Sequence, residues 1–188
     1  MMRIITGSAR GTHLYTLAGD ATRPTSERAK EALFSMLQQK PHGARVLDLF
    51  AGSGQLGLEA LSRGAAAAVF VDGSREAAEI VRRNAEKTHL LSQAKIETSD
   101  ALSYLKVCRE ASFDLCFLDP PYAAGLLPQC LSLLLSRKLL APGAIVVTES
   151  GAAGDVFGGN ETLASQFHII KQNRYGVACI TVMKEAES

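Results

Sequence analysis

A chain of 188 residues suffices for one well-cored domain, and its 47% hydrophobic and 21% charged content is ordinary for a globular protein. The formal net charge of +1 does not announce a nucleic-acid binder, and no apolar run reaches the ~18 residues of a membrane span. Cys108, Cys116, Cys130 and Cys179 form no C-x-x-C pair and the histidines are scattered, so reduced thiols in a cytoplasmic protein and no metal site are expected.

The chain opens with Arg3-Ile4-Ile5 and His13-Leu14-Tyr15-Thr16-Leu17 around a stretch bounded by Gly7 and Gly11, which predicts a small hairpin. Residues 1–11 carry arginines but no apolar h-region, so no secretory signal is expected. Charge is uneven: residues 1–45 hold seven Lys/Arg against three Asp/Glu, and the rest hold thirteen against sixteen. A basic segment on an acidic body suits phosphate contact. Residues 1–22 are assigned to a hairpin extension and 23–188 to the main domain. Arg23-Pro24-Thr25-Ser26 leads into a helix with Ala29, Leu33, Met36 and Leu37 on one face, and Pro41-His42-Gly43 closes it.

From there buried strands alternate with helices. Strands are expected over 46–50, 68–72, 95–98, 113–118 and 144–149, with helices over 56–63, 74–88, 101–109 and 126–139. Ser74 suits an N-cap, and Pro128 is tolerated in a first turn. Residues 151–160 read as a glycine-rich loop. Strands over 167–172 and 177–183 form a closing hairpin around 173–176. The alternation predicts an α/β fold, with a mostly parallel sheet, helices on both faces and antiparallel strands at one edge.

The strand at 113–118 gives out at Asp119-Pro120-Pro121-Tyr122. Two prolines cannot continue a central strand, so the chain leaves the sheet stiffly, with a carboxylate and a ring at the edge where open α/β sheets bind ligands. An acceptor beside a flat ring suits a planar amine. At the first strand's end, Gly52-Ser53-Gly54-Gln55-Leu56-Gly57 satisfies G-x-G-x-x-G, and Asp72 follows 20 residues after Gly52. Taken alone this is the dinucleotide fingerprint. Asp48 argues against it, because a carboxylate beside that turn repels a pyrophosphate but favours the ammonium and sulfonium of S-adenosylmethionine. Asp72 can accept both ribose hydroxyls, and Asp100 is a third acid at the end of a third strand. Each acid taken singly also suits a helix N-cap or a loop.

Together, Asp48-Leu49-Phe50-Ala51-Gly52-Ser53-Gly54, Asp72, Asp100 and Asp119-Pro120-Pro121-Tyr122 resemble the ordered motifs of Rossmann-like class I S-adenosylmethionine-dependent methyltransferases acting on exocyclic amines. More narrowly, Arg3-Ile4-Ile5, Arg10-Gly11, the stretch 22–28 and the stretch 56–65 resemble the RsmD family. Gln55 replaces a small residue usual there. The resemblance implies a seven-stranded sheet and methylation of the N2 amine of a guanine in bacterial 16S rRNA, position 966 in that RNA. It also implies a substrate that is a partly assembled small ribosomal subunit.

It further implies residue roles. Asp119 and the Pro120 carbonyl accept the two amine N–H bonds, and Tyr122 stacks on the base. Asp48 lies near the methionine amine, and Phe50, Ala51, Gly52, Ser53 and Gly54 form the turn the cofactor approaches. Asp72 holds the ribose and Asp100 the adenine amine, with Ala101 packed nearby. Arg28 meets the methionine carboxylate or an RNA phosphate, unless it is a plain surface arginine. Arg10 and Arg23 are candidates for phosphate contact, and Tyr175 packs against RNA or caps the last hairpin. The same D-P-P-Y motif serves methylation of adenine N6 in DNA or RNA and of glutamine amides in proteins. A module that binds S-adenosylmethionine and only scaffolds RNA is the non-enzymatic rival.

Overall fold

In the computed structural model, which describes residues 2–17, 27–110, 112–121, 125–151 and 153–186, the apolar runs become strands buried on both faces. The strands β1 (Arg45–Leu49), β2 (Ala67–Asp72), β3 (Ala94–Thr98), β4 (Phe113–Leu118) and β5 (Leu140–Gly151) run parallel. β6 (Phe167–Tyr175) and β7 (Ala178–Glu185) form an antiparallel hairpin, with β7 inserted between β5 and β6. The seven strands lie in the order β3-β2-β1-β4-β5-β7-β6. Strand order therefore reverses between β1 and β4, which opens a crevice at their carboxyl ends.

Alternate residues of each strand serve different cores, as the period of two requires. Val46, Phe70 and Phe117 pack with Leu33 and Phe34 of α1 (Glu27–Leu37), Leu58 of α2 (Gln55–Ser62) and Val81 of α3 (Arg75–Lys87). Leu47, Val71 and Cys116 pack with Leu105 of α4 (Ala101–Val107), Leu131 of α5 (Leu127–Ser136) and Leu163 of α6 (Glu161–Ser165). Helices thus cover both faces.

The N-terminal hairpin forms, with a single bridge between Arg3 and His13. It is built into the first core, where Ile4, Ala9 and Leu14 are buried. Gly7 turns it against α2 at φ +91°, and a Cβ there would lie 1.7 Å from the Ser62 carbonyl oxygen. Fully buried Glu59 anchors it, accepting from the N–H of Ile5 at 2.8 Å and of Thr6 at 3.0 Å. The Arg63 Nε donates to the same carboxylate at 2.8 Å, and the Lys30 ammonium lies 3.7 Å away.

Several boundaries differ from the sequence reading. α5 ends at Ser136 rather than 139, because Lys138 turns left-handed at φ +53°. α4 ends at Val107 rather than 109. β5 begins at Leu140, pairs there with Phe113, and passes an irregular stretch that holds Gly143 at φ +73°. α6 arises beyond the glycine-rich stretch, where the Asn160 carboxamide accepts from the Leu163 N–H at 2.9 Å. β6 runs on to Tyr175, so the final turn shrinks to Gly176 and Val177, with Gly176 at φ +65°.

Candidate functional site

The site grows from the end of β1. Phe50 and Ala51 both donate their N–H to the Val71 carbonyl, each at 3.0 Å, so the chain doubles back sharply. That turn holds Phe50 at φ +67°, a conformation rare for a bulky side chain and found where a site over-determines the backbone. Gly54 at φ +75° then starts α2. Gly57 brings α2 onto β2, since a Cβ there would lie 2.3 Å from the Phe70 ring. The close seat aims the Gly57 N–H at Asp48 Oδ2, 2.8 Å away.

Asp48, Asp72 and Asp119 meet at a cavity of about 280 Å³. The turn residues Phe50, Ala51, Gly52 and Ser53 line it as well. Asp72 is held by two backbone donors, Gly52 N–H to Oδ2 and Ser74 N–H to Oδ1, each at 2.9 Å. Each of its oxygens keeps a second lone pair for a ligand hydroxyl. Burial pushes the Asp48 carboxyl up to about 8; the Gly57 N–H opposes this, while the charges of Asp119 and Asp72 add to it. Three carboxyls lining one hollow favour a bound cation, which would help ionise Asp48, and disfavour phosphates. Larger hollows exist. One of 430 Å³ touches Lys40, His42 and Asp114 at the amino ends of the strands, and one of 590 Å³ touches Ser132, Ser136 and Glu185. Neither gathers charges of one sign, so chemistry rather than size selects the site.

The remaining expected residues fall in several places. Pro120 is buried beside Asp119, and the exposed Pro121 lines the cavity. A Cβ at Gly54 would meet Val81 and Phe70, and Gly54 is not among the residues that line the cavity. Asp100 is exposed, outside the cavity lining, and caps α4 by accepting from the Ser103 N–H at 2.9 Å, a bond that holds its carboxyl below the usual range. Ala101 is buried in the core. Arg28 is exposed on α1, away from the lining. Arg10 is exposed beside a hollow it shares with Arg3 and Glu31. Tyr175 is half-buried against the first core and pairs with Ala178 in the last hairpin. Tyr122 and Arg23 lie outside the described residues.

Sequence reasoning missed Met2, Leu17 and Leu56 as cavity walls. Ser53 Oγ donates to the Met2 sulfur at 3.1 Å, a contact no local pattern announces. Gln55, which had no role in the sequence, also lines the cavity, at the first position of α2. Among the described residues no group of three His, Cys, Asp or Glu is placed to hold a metal, and no helix is long and apolar enough to cross a membrane.

Strand order, the inserted antiparallel β7 and the crevice at the ends of β1, β2 and β4 define a Rossmann-like class I methyltransferase. Residues 2–184 match the family described as Conserved hypothetical protein 95. The chain is 38% identical to ribosomal RNA small subunit methyltransferase D of Haemophilus influenzae, over 79% of this chain and 78% of that protein. It is likewise 38% identical to the protein of that name from Escherichia coli K12, over 79% and 74%. The solved structure of yhhF from Escherichia coli superposes with a TM-score of 0.84 at 31% identity, over 100% and 99% of the two chains. The chain belongs to this family, that of ribosomal RNA small subunit methyltransferase D.

Proposed function

We propose that the protein transfers a methyl group from S-adenosylmethionine to the N2 amine of a guanine in small-subunit ribosomal RNA, the position being 966 of 16S rRNA by family resemblance. The observation that carries this reading is the convergence of Asp48, Asp72 and Asp119 on one cavity at the topological switch point. Such a cavity fits a ligand with an ammonium and a sulfonium and no phosphate. The relatives' names supply the RNA.

S-Adenosylmethionine supplies an electrophilic methyl, and as the nitrogen–carbon bond forms the carbon–sulfur bond breaks, leaving a neutral thioether. The protein's residues do the rest. Asp48 holds the methionine ammonium, directly or through water. Asp72 accepts from the ribose hydroxyls, and Asp100 accepts from the adenine amine at the start of α4. The guanine amine is a weak nucleophile, because its lone pair is delocalised into the ring. Asp119 and the Pro120 carbonyl accept its two N–H bonds and turn its lone pair toward the methyl, so positioning supplies much of the acceleration. Tyr122 stacks on the base and fixes its plane. One proton leaves the nitrogen, to Asp119 or to water.

The test is methyl transfer from labelled S-adenosylmethionine to small subunits lacking the modification, followed by mapping of the label. Label on a guanine N2 is the expected result. Label on adenine selects the adenine-N6 alternative, and no transfer to RNA rejects the reading.

A further inference from the structure

Beside the cavity lies a group of side chains with no part in the chemistry above. Tyr15 is 41% exposed, with the Arg83 guanidinium carbon 4.2 Å and the Lys87 ammonium 4.5 Å from its ring centroid. Arg83 and Lys87 are themselves exposed on α3, and among the described residues neither has a carboxylate partner. Two cations one helical turn apart have thus gathered on an aromatic ring rather than on Glu79 or Glu86 of the same helix.

The position of the group is fixed. Fully buried Asn84 accepts from the Tyr15 N–H at 2.8 Å and donates to the Tyr15 carbonyl at 3.0 Å. The same carboxamide donates to the Ser53 carbonyl at 2.9 Å, which ties Tyr15 to the glycine turn. Leu17, two residues beyond Tyr15, is itself a wall of the cavity. Two residues span at most about 7 Å, so the Tyr15 backbone lies close to that wall. The acids inside the cavity repel phosphates, so a substrate strand that delivers one base to Asp119 must keep its phosphates on cations outside.

The geometry points to Tyr15, Arg83 and Lys87 as an RNA-binding platform at the cavity rim, which holds the single strand flanking the target base. Tyr15 offers a ring for stacking a neighbouring base or ribose, and Arg83 and Lys87 each meet a phosphate. The assignment rests on the proposed action on RNA and extends it to residues outside the catalytic motifs.

The test compares wild type with R83Q/K87Q, Tyr15→Leu and Tyr15→Phe. Binding is measured by titration of a labelled single-stranded RNA oligonucleotide bearing the guanine, over a series of salt concentrations. S-Adenosylhomocysteine affinity and thermal stability are followed in parallel. Each phosphate contact on a single strand contributes about 0.7 to the log–log salt slope. The double variant should therefore lose about 1.4 of that slope and bind at least about tenfold more weakly. Tyr15→Leu should weaken RNA binding at least about fivefold, and Tyr15→Phe should restore it. S-Adenosylhomocysteine affinity should stay within about twofold throughout, since none of the three side chains enters the cavity lining. An unchanged slope and affinity in the double variant overturns the platform while methyl transfer by the wild type still stands. A wild type that neither binds nor methylates RNA overturns both.

Discussion

Asp48 is a buried carboxyl whose proton depends on what fills the cavity. Burial first, then the neighbouring charges of Asp119 and Asp72, hold it near 8 against the Gly57 N–H, whereas its ordinary value is 3.8. In the unfolded chain it ionises as pH rises past that ordinary value, while in the folded protein it keeps its proton until about 8. The folded state then binds more protons than the unfolded, so this residue lowers stability as pH climbs through that window and adds no further loss above it. Asp48→Asn keeps the acceptor for Gly57 and removes the cost. By urea titration it should be more stable than wild type by on the order of a few kcal/mol at pH 8, with the gap closing toward pH 4. A bound ammonium favours the ionised form, so S-adenosylhomocysteine should bind wild type more tightly as pH rises, by at most about tenfold per unit, and level off above about 8. In Asp48→Asn calorimetry should give weaker binding with that dependence gone; an unaltered pH profile would remove Asp48 from the cofactor site. Asp119 predicts the opposite separation. Asp119→Ala should cut single-turnover methyl transfer at least about 100-fold while S-adenosylhomocysteine affinity changes little. A variant that retains full turnover would sink the amine-holding assignment. These residues were legible because acids at strand ends follow from strand boundaries. Met2 and Leu17 were not, since their place depends on a long-range fold of the N-terminal segment over the glycine turn.

Elements carry the second set of consequences. The seat of α2 on β2 leaves no room at Gly57, where a Cβ would meet the Phe70 ring at 2.3 Å and Asp48 Oδ2 at 3.0 Å. Gly57→Ala should lower stability by about 1–3 kcal/mol in denaturant titration and should weaken cofactor binding too, because the helix shift moves the donor that orients Asp48. Loss of stability with unchanged binding would separate packing from the site. The hairpin depends on Glu59 in the same helix. Burial pulls the Lys30 ammonium below its usual range and Glu59 pulls it back, while Lys30 also donates to the Arg3 carbonyl at 2.6 Å. Glu59→Gln leaves that cation buried without its counter-charge, a loss of about 3–5 kcal/mol. Limited proteolysis should then cut within residues 2–17 first; a variant as resistant as wild type would show that apolar contacts alone hold the segment. The sequence made the parallel core plain, since runs such as 113–118 are continuous and bounded by turn residues. It obscured α6, because five helical residues next to a glycine-rich stretch give no periodicity and only Asn160 marked the start. The last turn was drawn too wide, because the strand signal in Asn173-Arg174-Tyr175 is weak and pairing with β7 decides it.

At the scale of the whole molecule, a basic first quarter is folded onto an acidic body, and its Met2 and Leu17 become walls of a cavity of carboxyls. Ile4, Ala9 and Leu14, which precede the division expected at residue 22, share one core with α1 and α2. Two kinds of surface meet beside that core. Asp48, Asp72 and Asp119 line the cavity, while Arg83 and Lys87 on α3 lie against the Tyr15 ring. That division of charge also decides between the two cofactors the glycine turn allows. A dinucleotide brings two phosphates to the turn and meets three acids, whereas S-adenosylhomocysteine brings an ammonium and ribose hydroxyls. Ligand that binds only the folded state stabilises it by about 2.7 kcal/mol at 100 times its dissociation constant. For a chain of this length that corresponds to a rise in Tm of about 5–10 °C. Thermal scans with S-adenosylhomocysteine should give that rise, and scans with NADH at equal concentration should give none. A shift with NADH alone would assign the glycine turn to a dinucleotide and overturn the methyl-transfer reading, however well the acids at the strand ends fit it.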